Sequence, residues 1–128
     1  MITTHSNVSF RLEAHSRHKT FAYDNKGKKA FHRMATQLLE EIAEELNHPE
    51  REIRSNLGGI AVSGEVTLHT DRIYIQISKG MGEKMAVLFR SVEGVRDYMG
   101  GNNNFASLKE LSHNYENTLD KFRRAARH

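Results

Sequence analysis

The chain has 128 residues, 38% of them apolar and 27% charged, with one proline, no cysteine and a formal net charge of +3. That length predicts a single domain spanning 1–128, and with the 9 glycines the apolar share is about 45%, near the roughly 45–50% of an average folded chain, so wholesale disorder is excluded. The absence of cysteine excludes disulfides, thiol nucleophiles, thiolate zinc sites and iron–sulfur clusters.

Near the start, Val8, Phe10, Leu12 and Ala14 alternate with Ser9, Arg11, Glu13 and His15, the period of a half-buried strand, which predicts one at about 7–15. A polar, basic stretch follows and contains Asp24-Asn25-Lys26-Gly27, a turn that also offers a helix N-cap. The basic segment of about 1–27 is expected to be partly flexible. From 28 to 47 the apolar residues Phe31, Met34, Ala35, Leu38, Leu39, Ile42, Ala43 and Leu46 recur mostly three and four apart. This predicts an amphipathic helix with Glu40, Glu41, Glu44 and Glu45 on its wet side. Pro49 ends that helix or starts a new turn, and Glu50-Arg51-Glu52-Ile53-Arg54 suit a short second helix stopped by Gly58-Gly59.

Strand patterns occupy 60–69, 72–78 and 85–92, with Ile73, Ile75 and Ile77 on one face and Tyr74, Gln76 and Ser78 on the other. Thr70-Asp71 and Gly80-Met81-Gly82-Glu83 are short enough for hairpin connections, so an antiparallel meander is expected. After a Gly- and Asn-rich loop, Ser107 and Glu110 form a capping box. Leu108, Leu111, Tyr115, Leu119 and Phe122 then repeat at helical spacing. The predicted fold is α+β, a three- or four-stranded antiparallel meander with two long helices on one face, in the order β-α-β-β-β-α.

The net charge conceals a segregation: +5 over 1–33, −4 over 34–55, 0 over 56–106 and +2 over 107–128. Six of the eight histidines (His5, His15, His18, His32, His113 and His128) lie in the two basic segments. Basic ends offer phosphate contacts through Lys28, Lys29, Arg123, Arg124 and Arg127; the alternative is solvated tails. No apolar run approaches the roughly 20 residues of a membrane span. Residues 1–7 lack the pattern of a secretory signal, so a cytoplasmic location without membrane contact is expected.

The most unusual segment is 92–105. Gly100, Gly101, Asn102, Asn103 and Asn104 tolerate positive φ and so can turn successive N–H groups toward an anion. Arg96 adds a fork for phosphate or carboxylate, and Tyr98 a hydrogen bond or stacking face. The plainer reading is a long turn with surface charges. Two phosphate motifs fail: Gly59-Ile60-Ala61-Val62-Ser63-Gly64 has P-loop spacing but Glu65-Val66 where Lys and Ser/Thr are needed, and Gly80-Met81-Gly82-Glu83-Lys84-Met85 lacks the third Gly of a dinucleotide fingerprint. The spacing of His15 and His18, with His5 and His32 nearby, reads as exposed histidines rather than a metal site. Glu65, Thr67 and His69 share one strand face; with Asp71 they form either an acid–base group or, more simply, a polar outer face.

The order helix, three strands, helix over 28–126 is also that of the double-stranded-RNA-binding domain. That family has a Lys-rich run at the start of its last helix, where this chain has Ser107-Leu108-Lys109-Glu110, so no binding residue is carried across. Over roughly 59–105 the chain resembles small uncharacterised proteins encoded on bacterial plasmids and prophages. The likeness rests on Gly59, on Ala61-Val62-Ser63-Gly64-Glu65-Val66-Thr67-Leu68-His69, on Ile73-Tyr74-Ile75-Gln76-Ile77-Ser78, on Leu88-Phe89-Arg90, and on the run from Gly94-Val95-Arg96-Asp97-Tyr98-Met99 to Gly100-Gly101-Asn102-Asn103-Asn104-Phe105. It implies a mobile-element setting. The expected function is non-enzymatic binding to nucleic acid or a nucleic-acid-processing complex, with no cofactor or metal. The alternative is a protein-interaction module or inhibitor that uses the loop and an exposed strand edge, and a homodimer is compatible with both. A hydrolytic site enters only if Glu65, His69, Asp71, Arg96 and Asp97 converge.

Overall fold

In the computed structural model, which describes residues 4–16, 25–47, 51–58, 64–79, 83–93 and 102–126, the alternation over 7–15 makes a helix, α1 (Thr4–Ser16), and not a strand. Positions four apart share a face in both structures, so Val8 and Leu12, at 2% and 0% exposure, fit either. The intervening positions decide it. Phe10 points outward at 43% exposure and Ala14 is exposed, while Ser9 and Glu13 turn inward.

The expected amphipathic helix is α2 (Asn25–Glu45), and its predicted apolar stripe enters the core. The helix closes at Asn47, whose φ of 59° lies in the left-handed region that asparagine tolerates. Pro49 lies outside the described residues. The short helix expected over 50–54 is instead a strand, β1 (Arg51–Asn56). Its six residues pair with β2 (Glu65–Thr70) over their whole length. Helix propensity favours Glu and Arg by only about a few tenths of a kcal/mol each, and an edge strand needs a single inward anchor, here Ile53, which packs against the core. Gly64 ends the β1–β2 connection with φ +74°, where a Cβ would collide with the Asn56 carbonyl. That glycine is therefore required by the turn itself.

The sheet continues through β3 (Ile73–Ser78), β4 (Val87–Ser91) and β5 (Asn104–Ala106), with a 3₁₀ turn at Glu83–Met85. All neighbours are antiparallel, in the order β1-β2-β3-β4-β5. The sheet has five strands where three or four were expected: the expected strand at 7–15 is a helix, and β1 and the end of the Asn-rich loop, β5, join the three strands of the meander. The final helix divides into α3 (Leu108–His113) and α4 (Tyr115–Ala125) at Asn114, whose φ and ψ of −129° and 51° leave the helical region. Half of the predicted capping box is formed: Ser107 Oγ accepts from the Glu110 N–H at 3.0 Å, while the Glu110 carboxylate, 3.5 Å away, meets the Ser107 hydroxyl rather than its backbone N–H.

One core joins every helix to one face of the sheet. Across that face run Ile53, Leu68, Ile75 and Phe89, and beside them Ser55, Val66, Ile77, Val87 and Ala106. Helix α2 lies over β1 and β2, α4 over β4 through the edge-to-face contact of Phe122 with Phe89 at 4.9 Å, and α1 bridges α2 and α3. Among the described residues no helix is long and apolar enough to cross a membrane.

Candidate functional site

Strand side chains alternate between faces, so a core of alternate residues leaves a second set on the opposite face, the helix-free face, which none of the described helices covers. The register arranges that set in rows. Glu52 lies opposite His69, His69 opposite Tyr74, and Tyr74 opposite Arg90. The adjacent row is Arg54, Thr67, Gln76, Leu88 and Phe105. Glu65, Thr67 and His69 do share this face, as their spacing predicts.

At its centre the His69 and Tyr74 rings meet edge to face at 5.5 Å, and the Arg90 guanidinium carbon lies 4.4 Å from the Tyr74 ring centroid. The Tyr74 hydroxyl donates to Gln76 Oε1 at 3.0 Å. Arg90 Nη1 reaches Asn103 Oδ1 at 3.5 Å. Burial raises the Tyr74 pKa above the ordinary phenol value; Arg90 opposes the shift and Glu65 adds to it. The hydroxyl therefore remains a neutral donor through the physiological range. His69 is 5% and Leu88 8% exposed, whereas Phe105, directly opposite Leu88, stands out at 37%. The result is a planar cation stacked on a phenol, with an open phenyl ring on the neighbouring row.

The sequence-predicted contacts fall elsewhere or apart. Arg96, Tyr98, Gly100, Gly101 and Arg127 lie outside the described residues, as does Asp97 of the hydrolytic grouping. Asn102 and Asn103 are exposed; Asn104 begins β5, with its Nδ2 donating to the carbonyls of Phe89 at 3.4 Å and Asn102 at 3.1 Å. Lys28 is buried at 5% exposure. Lys29 is exposed on α2 and Arg124 on α4, both in the helical layer. Arg123 Nη1 lies 2.8 Å from Asp120 and 3.9 Å from Glu116, so it is partly neutralised at the surface. Of the histidines, His15 Nε2 bonds the Gly27 carbonyl at 2.7 Å. Among the described residues no group of three or more His, Cys, Asp or Glu is placed to hold a metal ion.

Sequence reasoning missed the Tyr74–Arg90–Phe105 grouping, although it placed Tyr74 and Gln76 on the outer face. The β3–β4 register was needed to set Arg90 against Tyr74, and Phe105 had no place until β5 existed. It also missed the contact of His32 Nδ1 with Ser55 Oγ at 2.7 Å. Ser–His pairs invite a nucleophile reading, but His32 is buried with its ring edge-to-face against Phe31 at 5.8 Å. The pair ties α2 to the edge strand. No protein-family model, curated protein or solved structure matches this chain.

Proposed function

We propose that the protein is a non-enzymatic single-stranded nucleic-acid-binding module whose contact surface is the helix-free sheet face. The observation that carries this reading is the Arg90–Tyr74 stack at 4.4 Å with the exposed Phe105 ring on the neighbouring row. Unpaired bases stack on aromatic rings and on guanidinium planes, and an antiparallel sheet presenting such groups is a recurrent platform for them. Arg90 and Phe105 provide the stacking surfaces. Gln76 and the exposed Asn103 add hydrogen-bonding groups for base edges.

The described charges on this face are mixed, with Arg54 and Arg90 set against Glu52 and Glu65, so stacking outweighs phosphate neutralisation. The mobile-element setting implied by the resemblance over 59–105 belongs to the same proposal. Fluorescence anisotropy with single-stranded RNA, single-stranded DNA and a duplex of the same sequence tests it. Single strands bind more tightly than the duplex, with a shallow log–log salt slope of about −1 to −2, equivalent to roughly two phosphates. Absence of binding to any probe at low salt refutes the proposal.

A further inference from the structure

The two edges of the sheet are unlike. The outer edge belongs on one side to β5, which has three residues, and on the other to β1, which has six residues in unbroken register with β2. Short edge strands, prolines, bulges and charged side chains are the usual defences of an edge against pairing with another chain, and charges defend only where they meet like charges. The segment Arg51-Glu52-Ile53-Arg54-Ser55-Asn56 contains no proline or glycine, and nearly all of it is exposed. The two charges adjacent to Ile53, Glu52 and Arg54, are of opposite sign. Glu52 and Arg54 face the helix-free side and already lie 2.7 Å apart within one strand.

We infer that β1 is the self-pairing edge of a two-fold homodimer in which two sheets join into one of ten strands. Antiparallel pairing of β1 with a second copy, centred on Ile53, sets Glu52 opposite Arg54 of the partner subunit and Arg54 opposite the partner's Glu52. A two-fold interface uses the same patch on both copies, so it demands this kind of self-complementarity. At the centre the two Ile53 side chains meet on the helical side, next to the core that each already joins.

Helix α2 carries a second complementarity about the same axis. It is tied to β1 near both ends, by His32 to Ser55 at 2.7 Å and by Glu44 to Arg51 at 3.7 Å. The two-fold therefore lays the two copies of α2 antiparallel on one face. The outward residues of α2 are Lys26, Lys29 and Arg33 in its first half, then Gln37, then Glu40 and Glu44. Cations at a helix N-terminus and anions at its C-terminus oppose the helix macrodipole, so this order works against the stability of the isolated helix. In the dimer each basic half lies beside the acidic half of the partner. The inference concerns a second copy of this chain and stands independently of what the helix-free face binds.

Sedimentation velocity from micromolar to millimolar concentration, with thermal unfolding as the control for folding, tests it. The wild-type chain passes from monomer to dimer, and added salt weakens the association. Arg54→Glu and Glu52→Arg each place two like-charge pairs in the interface and raise the dissociation constant about tenfold. The double variant Glu52→Arg, Arg54→Glu recovers the wild-type value. A chain monomeric throughout, a dimer indifferent to either single variant, or a double variant as weak as the singles overturns the inference.

Discussion

On one face of the sheet Leu68, Ile75 and Phe89 form a row buried under α2 and α4, and one residue along each strand the row on the other face reads His69, Tyr74, Arg90. The two rows share a backbone and differ in what they must satisfy. The first excludes water and meets Phe122, so its residues are constrained by volume. Among the described residues no helix lies above the second. Its rings and guanidinium order one another side to side, and Phe105 at the adjacent row has no such constraint. Buried apolar side chains are concentrated on the first face, and the proposed recognition falls to the second.

The largest effect that sharpens this contrast is on the helical side. Phe122→Ala removes a fully buried ring that meets Phe89 edge to face, and denaturant unfolding should show a loss of about 3–5 kcal/mol. Phe105→Ala, also a phenyl deletion, should cost only about 1–2 kcal/mol in the same assay because its ring is already partly in water. Equal losses would break the comparison. In nucleic-acid binding the order reverses. Phe105→Ala or Arg90→Ala should weaken single-strand affinity by about 1–3 kcal/mol each in protein that is still folded at the assay temperature, whereas Phe122→Ala, in protein kept folded, should leave affinity little changed.

Helix α2 and the β2–β3–β4 meander were legible in the sequence because a long 3.6-residue period and three alternating runs joined by short connections leave few alternatives. The N-cap at Ser107 was legible because its chemistry is local. The first helix was misread because Val8 and Leu12 satisfy two periods at once, and only packing against α2 and α3 exposes Phe10. Strand β1 was misread because one apolar residue, Ile53, carries no period, and strand β5 because three residues of a loop became a strand only through pairing with β4. The candidate site suffered most. Its parts lie at 74, 90 and 105, on three strands, and their proximity is a property of register that no local pattern encodes.

Smaller effects probe the supports of the helical side. Ser107→Ala removes the bond to the Glu110 N–H at 3.0 Å and should cost about 1 kcal/mol in thermal or denaturant unfolding. An alkaline titration gives the least effect near neutrality. Burial raises the Tyr115 pKa above the ordinary phenol value, reinforced by Glu45, Glu41 and Glu116. A raised folded-state pKa contributes stability that is complete below about pH 10 and is lost as pH rises toward the folded value. Tyr115→Phe should therefore flatten the alkaline fall in stability, and an unchanged alkaline profile would contradict the assignment.

The most direct test of the central claim is to map, by amide and side-chain NMR shifts, which face responds when a short single-stranded oligonucleotide is added at low salt. Tyr74, Gln76, Arg90, Asn103 and Phe105 should move together and saturably, while Lys29, Arg33 and Arg124 on the helical layer stay near their free positions. Shifts confined to those helical cations, or no shift at either surface, would contradict the assignment of the helix-free face as the binding surface.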